Sequence, residues 1–344
     1  MLRTGIVLDS RYQDHNPGQG HPERAERIGT LLSRFVSYQR DGLTLFEPRL
    51  ATHEEVALVH DTSLINQVAA SAGQASTAFD ADTHVSALSY ETALLATGGL
   101  LTLLDAIMER DVDNGFALVR PPGHHAERNR AMGFCLFNSI AIGAQYLKER
   151  FGLSRILIMD WDLHHGNGTQ HSFYDDPGVL YVSTHQYPYY PGTGAAEEAG
   201  QGSGEGYTVN LPLTAGWGNA AFQPLFEDVL DPICRQFEPE FVLISAGFDA
   251  HVRDPLGGLT VTEEGFSALA RILLRVARDH AQGRFAAILE GGYDLEGLEN
   301  SVIHVLDEMG GENIGQSLPE YERRGLLPNV RVVQQRHWEL RPTP

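Results

Sequence analysis

The sequence predicts an α/β protein built on one doubly wound, mostly parallel sheet with helices on both faces. The first observation behind this prediction is that short apolar runs alternate with longer amphipathic runs along the chain, as they do when helices connect parallel strands. The second is that several short runs are apolar throughout: ILIM at 156–159, FVLI at 241–244 and FAAIL at 285–289. Strands that are buried on both faces of a parallel sheet have this continuous pattern.

The strands and helices are predicted from these runs. Strands are expected at 4–9, 115–119, 155–160, 179–183, 207–211, 241–246 and 285–289. Helices are expected at 22–37, 86–109, 137–150, 219–236, 262–280 and about 295–308, where apolar residues recur at helical spacing. Pro22 is expected in the first turn of the first helix, a position that tolerates its missing N–H.

Length and composition favour one domain. The chain has 344 residues, of which 42% are hydrophobic and 20% are charged, enough for one large core. The sequence shows no internal repeat, and the glycine-rich stretch 199–206 lies between two predicted strands, as a surface loop does. We therefore expect a single domain over 1–344, with its core at about 5–310 and with 311–344 either packed on it or loosely ordered.

The charge balance bears on partners and location. Asp and Glu number 45 against 25 Lys and Arg, a net charge of −20, so a nucleic acid is not expected as a partner, whereas cationic peptides or polyamines suit an acidic surface. Two cysteines, Cys135 and Cys234, cannot build a disulfide framework. We find no signal peptide and expect no segment that matches the roughly 18 to 20 apolar residues of a membrane span. We expect a cytoplasmic protein without a membrane partner; homo-oligomerisation is left open.

Histidine is concentrated in one region of the chain. Of 15 histidines, six lie between His124 and His185. Ligands bind at the carboxyl edge of an open parallel sheet, and at least four predicted strands are followed there by titratable or metal-binding side chains. In chain order these side chains are His124, His125, Asp160, Asp162, His164, His165, His185, Asp249 and Tyr293. Their convergence predicts metal or acid–base chemistry at this edge.

The segment Asp162-Leu163-His164 has the spacing of two metal ligands. Residues two apart in extended backbone point the same way, and Asp249 could supply a third ligand from another strand end. Two carboxylates and one imidazole leave an open position on zinc or a similar ion, as a catalytic metal site requires. The alternative is that Asp162 caps the helix that follows it.

The tandem pair His124-His125 is ambiguous by itself, because adjacent histidines on a loop are often solvated. Asp160 and Asn167 could accept hydrogen bonds from the outer ring nitrogens and so fix the tautomers. Tyr293 follows two glycines and could donate to a developing oxyanion. The alternative for Tyr293 is a tyrosine packed in the core.

These residues lie in stretches that resemble the histone deacetylase superfamily, in particular its class II and bacterial deacetylase-like branch. The matching stretches are GHPERAERI (20–28), RPPGHHAERNRAMGFCLFN (120–138), DWDLHHGNGTQHSFYDDPGVLYVSTH (160–185), YYPGTG (189–194), SAGFDAHVRDPLGG (245–258) and LEGGYDL (289–295). They follow the family's order from about residue 5 to residue 305.

The resemblance implies an arginase–deacetylase fold and zinc-dependent removal of an acetyl group from lysine or a related amine. It implies that zinc is held by Asp162, His164 and Asp249. It implies that His125 is the main general base and acid, with a neutral partner in Asn167. His124 would be its electrostatic partner, held by Asp160, and Tyr293 would stabilise the oxyanion.

The resemblance also implies a structural potassium ion and a substrate channel. Potassium would be held by backbone carbonyls of Asp160, Asp162, His164 and Thr184 and by side-chain oxygens of Asp160 and Ser183. Gly133 would accept the substrate N–H, and Phe134 and Tyr190 would form the channel walls. The remaining substrate-binding residues would be Leu256 at the rim, Gly291 and Gly292 beside Tyr293, and Arg27 along the pocket through which acetate leaves.

Two positions depart from residues found in other members of the family, and three alternative functions remain open. Asn167 and Tyr190 stand where other members of the family carry Asp and Phe. Leu256 stands where polyamine-selective relatives often carry Glu, so acyl-lysine is favoured over an acetylpolyamine. An arginase-type ureohydrolase would need two manganese ions bridged by extra aspartates, and here Asp249 is followed by Ala and His. The last alternative is an acyl-lysine-binding module without catalysis.

Overall fold

The computed structural model describes residues 1–320 and 328–340. Its strands, numbered in chain order, are β1 (Thr4–Val7), β2 (Leu43–Leu45), β3 (Thr77–Ala78), β4 (His84–Val85), β5 (Asn114–Ala117), β6 (Ile156–Asp160), β7 (Val179–Gln186), β8 (Thr208–Leu213), β9 (Phe241–Ala246) and β10 (Phe285–Leu289). In the described part of the chain, eight of them form a sheet in the order β2-β1-β5-β10-β9-β6-β7-β8. All neighbouring pairs in it are parallel, so the predicted fold class is confirmed.

The helices are α1 (Glu26–Ser37), α2 (His53–Val56), α3 (Thr62–Ala69), α4 (Ser89–Met108), α5 (Ser139–Phe151), α6 (Asn167–Ser172), α7 (Asn219–Leu225), α8 (Asp231–Phe237), α9 (Glu263–His280), α10 (Leu295–Met309) and α11 (Pro328–Gln334). One group packs α4 against α5, and another packs α10 against α1 and α9. Helices from both groups, α5 and α9, contact the central strand β9. Helical layers therefore cover both faces of the sheet.

Every predicted strand falls on an observed one, but β2 and the antiparallel pair β3–β4 are not predicted. β2 has three residues, is partly exposed and lies at the sheet edge. β3 and β4 have two residues each. Such short strands have no apolar run long enough to show a period.

The first predicted helix starts later than expected. It begins at Glu26, so the expectation that Pro22 lies in its first turn is wrong. The buried carboxylate of Glu23 accepts hydrogen bonds from Arg27 Nη1 at 3.0 Å and from Arg120 Nη2 at 2.7 Å. Ion pairing therefore holds this segment where helical hydrogen bonds were expected.

The helix predicted at 219–236 is interrupted. A wider π-helical turn at Phe226–Leu230 separates α7 from α8. Pro224 in α7 and Pro232 at the start of α8 flank this turn, and each lacks the N–H that an uninterrupted α-helix needs.

Helix α4 corrects the expectation that no segment resembles a membrane span. Its 20 residues are long and apolar enough to cross a bilayer by length and composition. However, 72% of its most apolar window is buried inside the protein, where it packs against α5 and β5. The same composition is typical of a core helix.

The described part of the C-terminal segment covers one edge of the sheet. Trp338 Nε1 donates to the Gly206 carbonyl at 2.8 Å, and its ring lies 5.5 Å from that of Tyr207, just before the edge strand β8. Covering an edge strand blocks pairing with other chains. The rest of the predicted 311–344 segment, at 321–327 and 341–344, lies outside the described residues.

The sheet register sets the position of the candidate site. Asp160 at the end of β6 lies opposite Ser245 in β9, and Leu289 at the end of β10 lies opposite Ala246. Because these strands are parallel and end together, the loops that follow β5, β6, β7, β9 and β10 meet at one edge.

Candidate active site

The three predicted metal ligands lie together at this edge. Asp162 and His164 follow β6, and Asp249 follows β9. His164 Nδ1 lies 3.2 Å from Asp162 Oδ1 and 3.0 Å from Asp249 Oδ2. Ligand atoms held about 2 Å from one tetrahedral ion are about 3.3 Å apart, so the two distances from His164 suit an ion the size of zinc, and all three ligand atoms lie within 4.8 Å of one another.

Backbone N–H groups orient the two carboxylates. Gly291 N–H donates to Asp162 Oδ2 at 2.9 Å, and Leu163 N–H donates to Asp249 Oδ1 at 2.8 Å. A Cβ at Gly291 would lie 2.4 Å from Asp249 Oδ2 and 2.6 Å from Asp162 Oδ2, so this approach requires glycine. Burial, and then the charge of Asp162, raise the pKa of Asp249 to about 7. Two carboxylates buried side by side need a positive partner.

The tandem histidines follow β5, and their ring centroids are 4.0 Å apart. His124 Nδ1 lies 3.0 Å from Asp160 Oδ2, and His125 Nδ1 lies 2.8 Å from Asn167 Oδ1. Burial lowers the pKa of His124, but the charges of Asp160 and Asp162 outweigh burial and raise it to about 10. Burial, reinforced by the charge of His124, holds the pKa of His125 well below its usual value. The pair combines a cationic and a neutral imidazole, and the neutral one can act as a base.

A cavity of about 240 Å³ reaches these groups. The predicted channel walls line it: the ring of Tyr190 lies 5.1 Å from that of His125, and the ring of Phe134 lies 6.0 Å from that of Tyr293. Gly133 has a φ of 57°, and a Cβ there would lie 2.5 Å from His125 Cδ2. The backbone at Gly133 therefore passes directly beside the neutral imidazole.

Tyr293 borders the same cavity and is 7% exposed. Its N–H donates to Asp254 Oδ2 at 2.7 Å. Burial, and then the charge of Asp249, raise the pKa of Tyr293 well above its usual value, so the hydroxyl keeps its proton. The Arg27 guanidinium carbon lies 5.1 Å from the centroid of the Tyr293 ring, and Arg27 Nε donates to the Gly292 carbonyl at 2.7 Å. Arg27 is fully buried and does not line this cavity, so its place along an acetate exit stays a prediction.

Comparison with known proteins identifies the family. Residues 21–309 match the model of the histone deacetylase domain. The chain belongs to the histone deacetylase family. A probable deacetylase of Archaeoglobus fulgidus is 40% identical over 297 residues, which cover 86% of this chain and 82% of that protein. The polyamine deacetylase HDAC10 of Homo sapiens is 38% identical over 339 residues, which cover 92% of this chain and 49% of that protein.

The fold of this histone deacetylase-family chain also matches a solved structure. The crystal structure of the HDA15 HD domain superposes with a TM-score of 0.89 at 36% identity, over 98% of this chain and 97% of that one. The resemblance inferred from the motifs is therefore confirmed, as is the arginase–deacetylase fold that it implied. These relatives support a hydrolase of the deacetylase kind.

The family's predicted potassium residues also come together. The β6–β7 register places Asp160 opposite Ser183, and both are fully buried. Ser183 Oγ lies 2.8 Å from His185 Nδ1. Thr184 is the next residue after Ser183 along β7, so its side chain points to the opposite face of the sheet, and its predicted contribution is through its backbone carbonyl. Asp160 and Ser183 place a buried carboxylate beside a hydroxyl oxygen, and such oxygen ligands suit a hard cation.

Several site residues are not predicted from the sequence. Asp82 and Tyr189 line the cavity, and the Tyr189 hydroxyl donates to the Leu256 carbonyl at 2.7 Å, which joins two rim loops. Glu290 Oε2 accepts from the Gly123 N–H at 2.6 Å, next to the tandem histidines. Tyr189 and Glu290 lie within family motifs that could have indicated them, whereas Asp82 lies outside every quoted stretch.

Proposed function

We propose that this chain is a zinc-dependent deacetylase that hydrolyses the N-acetyl or N-acyl amide of lysine side chains or related amines. The observation that carries the proposal is that one narrow, aromatic-walled cavity is lined by the tandem histidines, a predicted metal ligand and the buried Tyr293. Zinc held by Asp162, His164 and Asp249 would supply Lewis acidity toward the amide carbonyl and the attacking water.

His125 is suited to accept the proton of the attacking water. Its Nδ1 is engaged by Asn167 at 2.8 Å, which leaves Nε2 for the reaction. The same nitrogen would return the proton to the amine as the C–N bond breaks. The ring of His124 lies 4.0 Å away and would place positive charge beside the reacting groups.

The other residues of the cavity would bind the substrate and the oxyanion. The Tyr293 hydroxyl would donate to the oxygen that becomes negative as the carbonyl is attacked, and such donors act mostly in the transition state. The Gly133 carbonyl would accept the substrate N–H. Phe134 and Tyr190 would enclose the alkyl chain and exclude water.

We also propose a structural potassium ion beside this site. Its ligands would be backbone carbonyls of Asp160, Asp162, His164 and Thr184 and side-chain oxygens of Asp160 and Ser183. The buried oxygen groups described above support it. An ion there would fix the loop that carries Asp162 and His164.

Among possible substrates for this activity, we infer that acyl-lysine peptides are the preferred class. Leu256 lines the cavity at its rim and offers no charge to a second amine. Acetylpolyamines are the second class, favoured by the Asp82 carboxylate in the cavity wall and by similarity to a relative named as a polyamine deacetylase.

An arginase-type two-manganese site has less support. Across the residues that the structure describes, one group of three metal-binding side chains comes together, Asp162, His164 and Asp249. Both ring nitrogens of His165 are engaged, with Thr193 Oγ1 at 2.7 Å and Gln170 Oε1 at 2.9 Å. His165 is therefore not free to extend the trio.

The test is a substrate panel run on the zinc-loaded protein. We expect turnover of an acetyl-lysine peptide and a lower efficiency on N8-acetylspermidine. Higher efficiency on the polyamine would make acetylpolyamines, rather than acyl-lysine peptides, the preferred substrate class. Absence of turnover on both, with the zinc content and the folded state verified, would leave the proposed activity without support.

A further inference from the structure

A line of four side chains runs from the candidate base to the protein surface. His125 Nδ1 lies 2.8 Å from Asn167 Oδ1, and Asn167 Nδ2 in turn donates to Glu127 Oε1. His171 Nδ1 lies 2.9 Å from Glu127 Oε1 and 3.0 Å from Oε2. The side chain of Glu127 is 15% exposed and that of His171 is 47% exposed, so the line ends in solvent.

The carboxylate of Glu127 and the backbone carbonyl of His125 together fix which way the Asn167 amide faces. The Asn167 amide nitrogen donates to two oxygens, Glu127 Oε1 and the His125 backbone carbonyl at 3.3 Å. Turning the amide over would place its oxygen against both acceptors with no hydrogen between them. The amide oxygen must therefore face the imidazole.

The orientation of the amide determines the tautomer of His125. An amide oxygen can only accept, so Nδ1 must carry the proton. In a neutral imidazole, Nε2 is then the unprotonated nitrogen, which is the one the proposed reaction uses. If the amide nitrogen faced Nδ1 instead, the proton would move to Nε2 and the base would be blocked.

The surroundings keep Glu127 ionised. Burial raises the pKa of this carboxyl group, but hydrogen bonds from His171 and Asn167 outweigh burial and lower it. The hydrogen bond to Glu127 in turn raises the pKa of His171. Arg130 adds a further positive charge near both groups. A charged acceptor binds the amide N–H more strongly than a neutral one does.

We propose that Glu127 is a positioning residue that acts through Asn167 to hold His125 in its Nδ1-protonated form, with His171 anchoring the carboxylate from the solvent side. This inference rests on the proposed deacetylase function. Glu127 does not contact the substrate in this arrangement. A neutral asparagine can orient the base because the negative charge of Glu127 lies next to the asparagine, on the side away from His125.

The test exchanges the carboxylate at position 127 and the amide at position 167. Glu127→Met removes the acceptor with little change in volume, and we expect kcat on an acetyl-lysine peptide to fall about tenfold with KM within about twofold, because ground-state binding is untouched. Glu127→Gln keeps an acceptor oxygen and should retain more of the activity. Asn167→Asp sets two carboxylates against each other and should also lower kcat about tenfold. The double variant Glu127→Gln/Asn167→Asp restores one donor and one acceptor and should recover to within about threefold of the unaltered protein.

The controls separate this inference from simple loss of structure and from failure of the function. Each variant is checked for zinc content and Tm. Glu55→Gln removes a carboxylate of similar exposure, 17%, whose Oε1 and Oε2 lie 2.6 and 2.8 Å from Arg49, and should lower Tm without changing kcat. An unchanged kcat in Glu127→Met, or effects of Glu127→Gln and Asn167→Asp that simply multiply in the double variant, would overturn the inference. An inactive unaltered protein would instead contradict the proposed function.

Discussion

Acid should destabilise the fold through His60, which lies behind the loop that carries the tandem histidines. Its Nδ1 donates to the Glu127 carbonyl at 2.9 Å, and its Nε2 accepts from the Asn138 N–H at 2.8 Å. The ring is 2% exposed. One donor and one acceptor fix a neutral tautomer, and a protonated ring would direct an N–H at another N–H. Burial lowers the pKa of His60 to about 4.

The sign and size of the effect follow from this pKa. An unfolded histidine takes up a proton below about pH 6.5, whereas the folded one does so only near its lowered pKa of about 4. Between these values the unfolded chain binds more protons, so stability falls as the pH falls and the loss is complete below about pH 4. At about 1.4 kcal/mol per pH unit, His60 should remove about 2 kcal/mol of stability between about pH 6.5 and about pH 5.

The assay is urea unfolding of the unaltered protein and His60→Gln at about pH 7.5 and about pH 5, since one kcal/mol is well resolved by such curves. At the higher pH the variant should be less stable by about 1–3 kcal/mol, because the Asn138 N–H or the Glu127 carbonyl loses its partner. At the lower pH that difference should shrink by about 2 kcal/mol. His53→Gln, at an exposed position, controls for loss of a histidine as such. A difference that stays the same at both pH values would refute the reasoning.

Three further predictions concern the site itself. Tyr293→Phe should lower kcat by about 100- to 1,000-fold with little change in KM, and unchanged turnover of an acetyl-lysine substrate would contradict the oxyanion role. Gly291→Ala should weaken zinc binding at least about tenfold in a chelator competition, because its methyl group would lie 2.4 Å from Asp249 Oδ2. Gly315→Ala, whose Cβ would meet nothing within 4 Å, should bind zinc normally. Leu256→Glu should raise the efficiency on N8-acetylspermidine relative to the peptide by about tenfold; an unchanged ratio would remove this residue from the choice of substrate.

The sequence predicts the sheet well because its strands are buried on both faces. Continuous apolar runs mark β9 and β10 at their observed boundaries. Once the strands are known, the residues that follow them identify the edge where the candidate site lies, and Asp162, His164 and Asp249 do lie together there. The two-residue spacing of Asp162 and His164, together with the rule that ligands bind at the carboxyl edge of a parallel sheet, is sufficient to predict this cluster.

Contacts between loops that are far apart in the sequence could not be predicted from it. Glu290 meets Gly123 across 167 positions of the chain, and Glu127 meets Asn167 across 40. Neither pair has a periodic or spacing signal, since each exists only after the strand-end loops fold against one another. The late start of α1 has the same origin, because the buried ion pair between Glu23 and Arg120 joins residues 97 positions apart in the chain.

Metal dependence tests the central claim most directly. The purified chain would be analysed for metal content, and its turnover of an acetyl-lysine peptide would be followed through removal of metal with a chelator and addition of zinc. We predict one divalent ion per chain, loss of activity on chelation and recovery with zinc, with Asp249→Asn failing to recover. Two manganese ions per chain, or activity that persists after the metal is removed, would contradict the assignment of Asp162, His164 and Asp249 as a single catalytic zinc site.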